Sequence, residues 1–98
     1  MVQDITAEEL KERINKQEKI TLIDVREEWE YDELNINARN IPLATLPEKI
    51  GELAALKDHE IIVHCKSGNR SRQAKKYLSK QGFNKVRSLL EGIEGYLK

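Results

Sequence analysis

Apolar residues along this chain alternate between two patterns, short continuous runs and stripes at three- and four-residue spacing, and the alternation predicts strands and helices in turn. Thr6 with Glu9 reads as a capping box, with Ile5 and Leu10 at the positions of a hydrophobic staple. Leu10 and Ile14 then give the first helix its apolar stripe. Ile20 to Val25 is a β-rich run with few polar interruptions, as expected of a strand covered on both faces. A short helix is predicted over Glu28 to Leu34, followed by a brief strand at Asn40 and Ile41 that Pro42 terminates or places at an edge. Thr45 and Glu48 read as a second capping box with Pro47 in the first turn, and Leu46, Ile50 and Leu53 recur at helical spacing. Lys57-Asp58-His59 reads as a turn, and Glu60 to His64 as a strand. Ala74, Tyr77 and Leu78 form the buried face of the next helix, which Gln81-Gly82 ends. Val86 to Leu90 is the last predicted strand, ahead of a short C-terminal helix. Strands alternating with helices yield an α/β fold: a central parallel β-sheet flanked by helices on both faces.

Length and composition narrow this picture without adding chemistry. The 98 residues fit one domain, 1–98, with no repeat, linker or low-complexity segment. Seventeen basic and 17 acidic residues cancel, which argues against the one-sided basic surface of a nucleic-acid binder. No run approaches the roughly 20 apolar residues of a membrane span, and Met1-Val2-Gln3-Asp4 does not open a signal peptide. The single cysteine forms no internal disulfide, and with only His59 and His64 it assembles no metal site. These features predict a cytoplasmic protein without metal or other cofactor.

The chemistry concentrates where the run Ile61-Ile62-Val63 hands over to His64-Cys65-Lys66-Ser67-Gly68-Asn69-Arg70-Ser71 and then to an amphipathic helix beginning near Arg70. Open α/β sheets carry their sites at such strand-to-helix junctions. Lys66, Arg70 and the helix N-terminus all favour the thiolate form of Cys65. Gly68 allows φ > 0, which lets successive N–H groups turn inward. Ser67, Asn69 and Ser71 are short polar residues able to hydrogen-bond the loop backbone or donate to an anion. The loop therefore reads as a cradle for a charged sulfur or a small oxyanion, with Cys65 as nucleophile and Lys66 to Ser71 as its binding residues. Arg70, a cation at a helix start, belongs to ligand binding or to loop bracing. His64 is expected to point away from the Cys65 side chain, in a structural role. Asp24 and Arg26, on the edge from which Cys65 emerges, read as a supporting ion pair for the loop. Trp29 and Tyr31 are read as aromatics that cover the sheet, with a pocket rim as the alternative.

Cys65-Lys66-Ser67-Gly68-Asn69-Arg70-Ser71 resembles the active-site loop of single-domain rhodaneses, sulfurtransferases that carry sulfur as a cysteine persulfide. Leu22-Ile23-Asp24-Val25-Arg26 with Glu27, Glu28 and Tyr31 resembles the family's first strand and helix, and Asn40-Ile41-Pro42-Leu43 its next strand. Gly82-Phe83, Val86 and Glu91-Gly92-Ile93 resemble its last strand and closing turn. Two segments depart from the pattern. Leu34-Asn35-Ile36 replaces a Gly-His-Ile group, and Leu89-Leu90-Glu91-Gly92-Ile93 replaces Leu-Glu-Gly-Gly-Ile.

The resemblance implies a rhodanese-like fold and a sulfurtransferase. In that family reaction the Cys65 thiolate takes the outer sulfur of a small anionic donor such as thiosulfate. It then passes the sulfur to cyanide, a thiol or a protein cysteine. Cysteine phosphatases and arsenate reductases of similar fold place five residues between cysteine and arginine, whereas four stand between Cys65 and Arg70, a tighter loop that suits sulfur. A non-catalytic partner-binding or redox-sensing module is the other alternative, and its expected mark, loss of the nucleophile or of the loop glycine, is missing here.

Overall fold

The computed structural model describes residues 2–98. Nine regular elements follow in chain order: α1 (Ala7–Asn15), β1 (Leu22–Asp24), α2 (Glu28–Glu33), β2 (Arg39–Asn40), α3 (Leu46–Leu53), β3 (Glu60–His64), α4 (Asn69–Lys80), β4 (Lys85–Ser88) and α5 (Gly92–Tyr96). Short 3-10 turns at Leu43–Thr45 and Ala54–Leu56 flank α3. All four strands pair in parallel in the order β2-β1-β3-β4, with Asp24 opposite His64 and Val63 opposite Ser88. Ile5 adds a one-residue parallel bridge to Leu89 outside β4.

The sheet is covered on both faces. One face buries Ile23, Val25, Ile61 and Val63 against Leu46, Leu53, Ala74 and Leu78, and the other buries Ile62 and Leu89 against Ile5 and Leu10. Burying each such side chain is worth about 1.5–3 kcal/mol, which makes these two layers the main stabilising term. The α/β architecture with a doubly covered parallel sheet is thus the one the hydrophobic pattern predicts.

Several boundaries differ for local reasons. β1 spans three residues, yet its pairing continues through Ile62 N–H to Thr21 O and Val25 N–H to His64 O, which accounts for the longer apolar run. β2 begins one residue earlier than predicted, and Ile41 still donates to Asp24 O before Pro42 interrupts the ladder. α2 stops at Glu33 because Leu34 turns extended, and β4 runs Lys85–Ser88. The first capping box is half formed. Thr6 Oγ1 accepts the Glu9 N–H at 3.0 Å, while the Glu9 carboxylate is bound by Arg87 on β4. The second predicted box does not form, because Thr45 already has helical backbone angles in the preceding 3-10 turn. Its hydroxyl donates backwards to Pro42 O at 2.9 Å.

Candidate active site

The chain order 2-1-3-4 makes the junction between β1 and β3 a topological switch point, and Cys65 leaves the sheet at its carboxyl edge there. The loop that follows turns on Gly68, whose φ of +113° is open to glycine and strained for other residues. Gly68 is also the N-cap of α4 and has no side chain with which to cap it. The cysteine sulfur fills that role: Sγ accepts the Gly68 N–H at 3.1 Å and the Ser71 N–H, in the first turn of α4, at 3.3 Å. Free helix N-terminal N–H groups favour a negative acceptor, so the fold places a partial positive charge against this one sulfur. The Ser71 hydroxyl lies 3.6 Å from Sγ, 3.1 Å from Gly68 O and 2.7 Å from Ser88 Oγ. One proton assignment satisfies this chain, with Ser88 donating to Ser71 and Ser71 to Gly68 O.

The loop rests on α5. Ile93 N–H donates to Cys65 O at 2.9 Å and Glu94 N–H to Lys66 O at 3.1 Å. Pinning these carbonyls to α5 turns the N–H groups of the same trans peptides, Lys66 and Ser67, away from it. Gly92 makes the approach possible, since a Cβ there would stand 2.4 Å from Lys66 O and 2.7 Å from Cys65 O.

Arg70 points away from a simple anion-ring role. Its guanidinium grips Glu30 with two bonds, Nη1 to Oε1 at 2.5 Å and Nη2 to Oε2 at 3.0 Å, tying the cradle to α2. The Arg70 bond is the main cause that holds the Glu30 carboxyl down at about 2. Glu30 also accepts the Glu27 N–H at 3.0 Å, so one carboxylate caps α2 and braces the loop. Glu30→Gln leaves Arg70 without its counter-charge. A loss of roughly ten- to a hundredfold in the rate of any reaction carried by Cys65 is expected, since loosening a reacting group's position by about 1 Å costs that much. Steady-state turnover of the variant checks this, and an unchanged rate would make the pair purely structural.

Asp24 and Arg26 form a buried ion pair, Nη2 to Oδ2 at 2.7 Å, and Arg26 further donates to Leu34 O at 2.7 Å. The pair therefore closes the turn after β1 and holds the end of α2. Among the described residues it makes no direct bond to the loop after Cys65, and its link to the cradle runs through α2 and Glu30. His64 is fully buried, with Nδ1 3.4 Å from Cys65 O and Nε2, which has no hydrogen-bond partner among the described residues, 3.5 Å from Asp24 Oδ2. Burial pushes the His64 pKa below its ordinary 6.5, with the Asp24 charge opposing more weakly. The unfolded chain then takes up the His64 proton near pH 6.5 while the folded one does so only at lower pH, so stability is full above 6.5 and falls as pH drops below it. Urea midpoints are expected to be lower at pH 5.5 than at pH 7.5, by a margin that shrinks in His64→Asn. Equal midpoints would place a charged His64 in the fold.

The remaining loop residues face outward. Lys66 and Ser67 are exposed, and the exposed Asn69 accepts a hydrogen bond from Arg72 through its side-chain oxygen. Trp29 does not cover the sheet. It stands 63% exposed and lines a groove with Arg26, Glu30, Leu34, Lys66 and Leu97, whereas Tyr31 donates to Ala38 O at 2.5 Å. In the departing segment Asn35 closes its own turn, donating to Tyr31 O and accepting the Asn37 N–H, both at 2.9 Å. Sequence reasoning missed Glu30 and Ser88 as partners of the loop. Both act on residues 17 to 40 positions away, a separation at which periodicity carries no signal.

The family model described as "Rhodanese-like domain" matches residues 6–98. A sulfurtransferase of Allochromatium vinosum is 35% identical over 94 residues, covering 95% of this chain and 86% of that protein. A putative sulfurtransferase of Bacillus subtilis, YtwF, is 42% identical over 87% of this chain and 82% of its own length. Among solved structures, a rhodanese-related protein from Thermoplasma volcanium superposes with a TM-score of 0.83 at 35% identity, covering 98% of this chain and 91% of that one.

Proposed function

The chain belongs to the rhodanese-like domain family, and from that premise we propose that it is a sulfurtransferase working through a persulfide on Cys65. The observation that carries this reading is the sulfur of Cys65 held by the N–H groups of Gly68 and Ser71 at the start of α4. The Cys65 thiolate attacks the outer sulfur of a small anionic donor such as thiosulfate. A new S–S bond forms, the bond to the sulfonate sulfur breaks, and sulfite leaves with the electron pair. The terminal persulfide sulfur carries the negative charge into the cradle, where oriented donors stabilise it. A nucleophilic acceptor, cyanide in an assay and a thiol or protein cysteine in the cell, then takes that sulfur and frees the thiolate. The reaction calls on no cofactor. The Arg70 guanidinium, held by Glu30, braces the cradle rather than standing free for a phosphate, which favours sulfur transfer over a phosphatase or arsenate reductase.

Intact mass of the reduced protein after incubation with thiosulfate tests the reading. A gain of one sulfur atom, absent in Cys65→Ser and reversed by cyanide with release of thiocyanate, is the expected result. No gain under conditions where the thiol is free would overturn it. Lys66 is the exposed cation nearest the nucleophile in sequence and has no ion-pair partner among the described residues. Lys66→Ala is therefore expected to raise KM for thiosulfate about threefold to tenfold while changing that for a neutral persulfide donor little, because only the dianion loses a Coulombic attraction. Equal effects on the two donors would remove that role.

A further inference from the structure

Three of the largest exposed apolar side chains, Trp29 at 63%, Leu34 at 52% and Leu97 at 50%, line one groove, and Lys66 of the Cys65 loop forms part of its wall. Trp29 also forms the edge of an adjoining recess beyond α2. The charge around this tryptophan is one-sided. Glu33 and Glu94 lie on the groove side, and Glu27, Glu28 and Asp32 lie on the far side. None of these five carboxylates is in an ion pair among the described residues, and the cations that reach the groove are Lys66 and Arg26, the latter held by Asp24. An exposed indole ringed by carboxylates that stand outside any ion pair, Glu27 also accepting the Glu30 N–H at the start of α2, is a site for a cation, since the ring face and the acids attract the same charge. The apolar Leu34 and Leu97 beside it suit the stems of long basic side chains. A zero net charge for the whole chain makes this acidic rim a local arrangement rather than a consequence of overall composition.

We propose that this rim docks the sulfur acceptor, a polypeptide whose cysteine is flanked by lysine or arginine side chains. The proposal rests on the sulfurtransferase reading above and names the acceptor class for that site. In the transfer step the acceptor thiolate attacks the terminal sulfur of the Cys65 persulfide. A new S–S bond forms on the acceptor, the old one breaks, and Cys65 leaves as the thiolate, so sulfane sulfur moves with no external oxidant or reductant. The rim holds the acceptor by its basic flanks and brings its cysteine to the loop, raising encounter rate and fixing orientation.

The test uses the full chain loaded with sulfur from thiosulfate, with loading verified by mass. It is then discharged to two cysteine peptides of equal length, one flanked by Lys and Arg, the other by Asp and Glu. The basic peptide is expected to take sulfur at least about tenfold faster at low ionic strength, with the gap narrowing in high salt. Basic flanks also ionise a peptide's own thiol, so the decisive comparison is one peptide on two proteins. Asp32→Lys combined with Glu33→Lys should remove or invert the preference, and Trp29→Ala should slow the basic peptide severalfold, while both proteins still discharge to cyanide. Equal discharge to both peptides, or a preference untouched by charge reversal, overturns the proposal alone. Failure of Cys65 to load overturns the sulfurtransferase reading and the proposal with it.

Discussion

Cys65→Ser is expected to abolish sulfur transfer, lowering turnover by at least about three orders of magnitude as loss of a covalent nucleophile does elsewhere, while the fold stays intact. The two halves of this prediction have separate causes. A serine hydroxyl is too weak an acid to ionise at neutral pH and forms no persulfide, so the chemistry has no substitute. The structural half follows from the contacts of Sγ, which accepts N–H groups from Gly68 and Ser71 in a site only 1% exposed. A serine oxygen accepts from the same donors and still caps α4, so no buried polar group is left unpaired and a stability change within about 1.5 kcal/mol is expected. Thiocyanate release and a denaturant midpoint, measured on the same preparation, check both. A variant that still transfers sulfur would remove the persulfide mechanism, and one that unfolds would make Cys65 a core residue first.

The same geometry shows which parts of the molecule local sequence can reveal. Strand and helix order was legible because each apolar run or stripe reports its own burial, as Ile61 to Val63 and Ala74 to Leu78 do. The loop was legible because a glycine, cations and a lone cysteine at a strand end are all local facts, and the predicted positive φ at Gly68 is present. Side-chain partners were not. Thr45-Glu48 has the residue types of a capping box, but the 3-10 turn before it put Thr45 in helical geometry and sent its hydroxyl to Pro42. Arg70 showed its unusual place in a helix's first turn, yet nothing near it in sequence announces Glu30, which comes from α2 across the sheet's edge. The exposure of Trp29 was hidden for a similar reason. An aromatic on a six-residue helix covers the sheet or faces out according to how α2 is set, and Arg26 sets it by binding Leu34 O and Asp24.

Gly92→Ala is expected to cost roughly 3 kcal/mol or more of stability and most of the activity, although the residue has no side chain to offer the chemistry. Positive φ is the smaller part of that figure. Glu91 sits at φ 62° and Gly92 at φ 60°, so an L-residue is already carried in this region one position away, at a cost of about 1–2 kcal/mol. What separates the two is space. A Cβ on Gly92 would meet Lys66 O at 2.4 Å, Lys66 C at 2.5 Å and Cys65 O at 2.7 Å, all backbone atoms of the Cys65 loop. Backbone cannot swing aside as a side chain does, so the loop must lift from α5 and release the Ile93 and Glu94 N–H bonds to those two carbonyls. Each released bond is worth about 1 kcal/mol, and the displaced peptides no longer hold the cradle around Sγ. Glu91→Gly separates the contributions, since it relieves the strained φ without entering the loop. It should leave activity in place and shift stability by no more than about 1 kcal/mol, strain relief being offset by the freer unfolded chain. Thermal denaturation and persulfide loading of both variants decide the matter: if Gly92→Ala loads with sulfur as fast as the unsubstituted chain, α5 does not position the loop and Gly92 serves the turn alone.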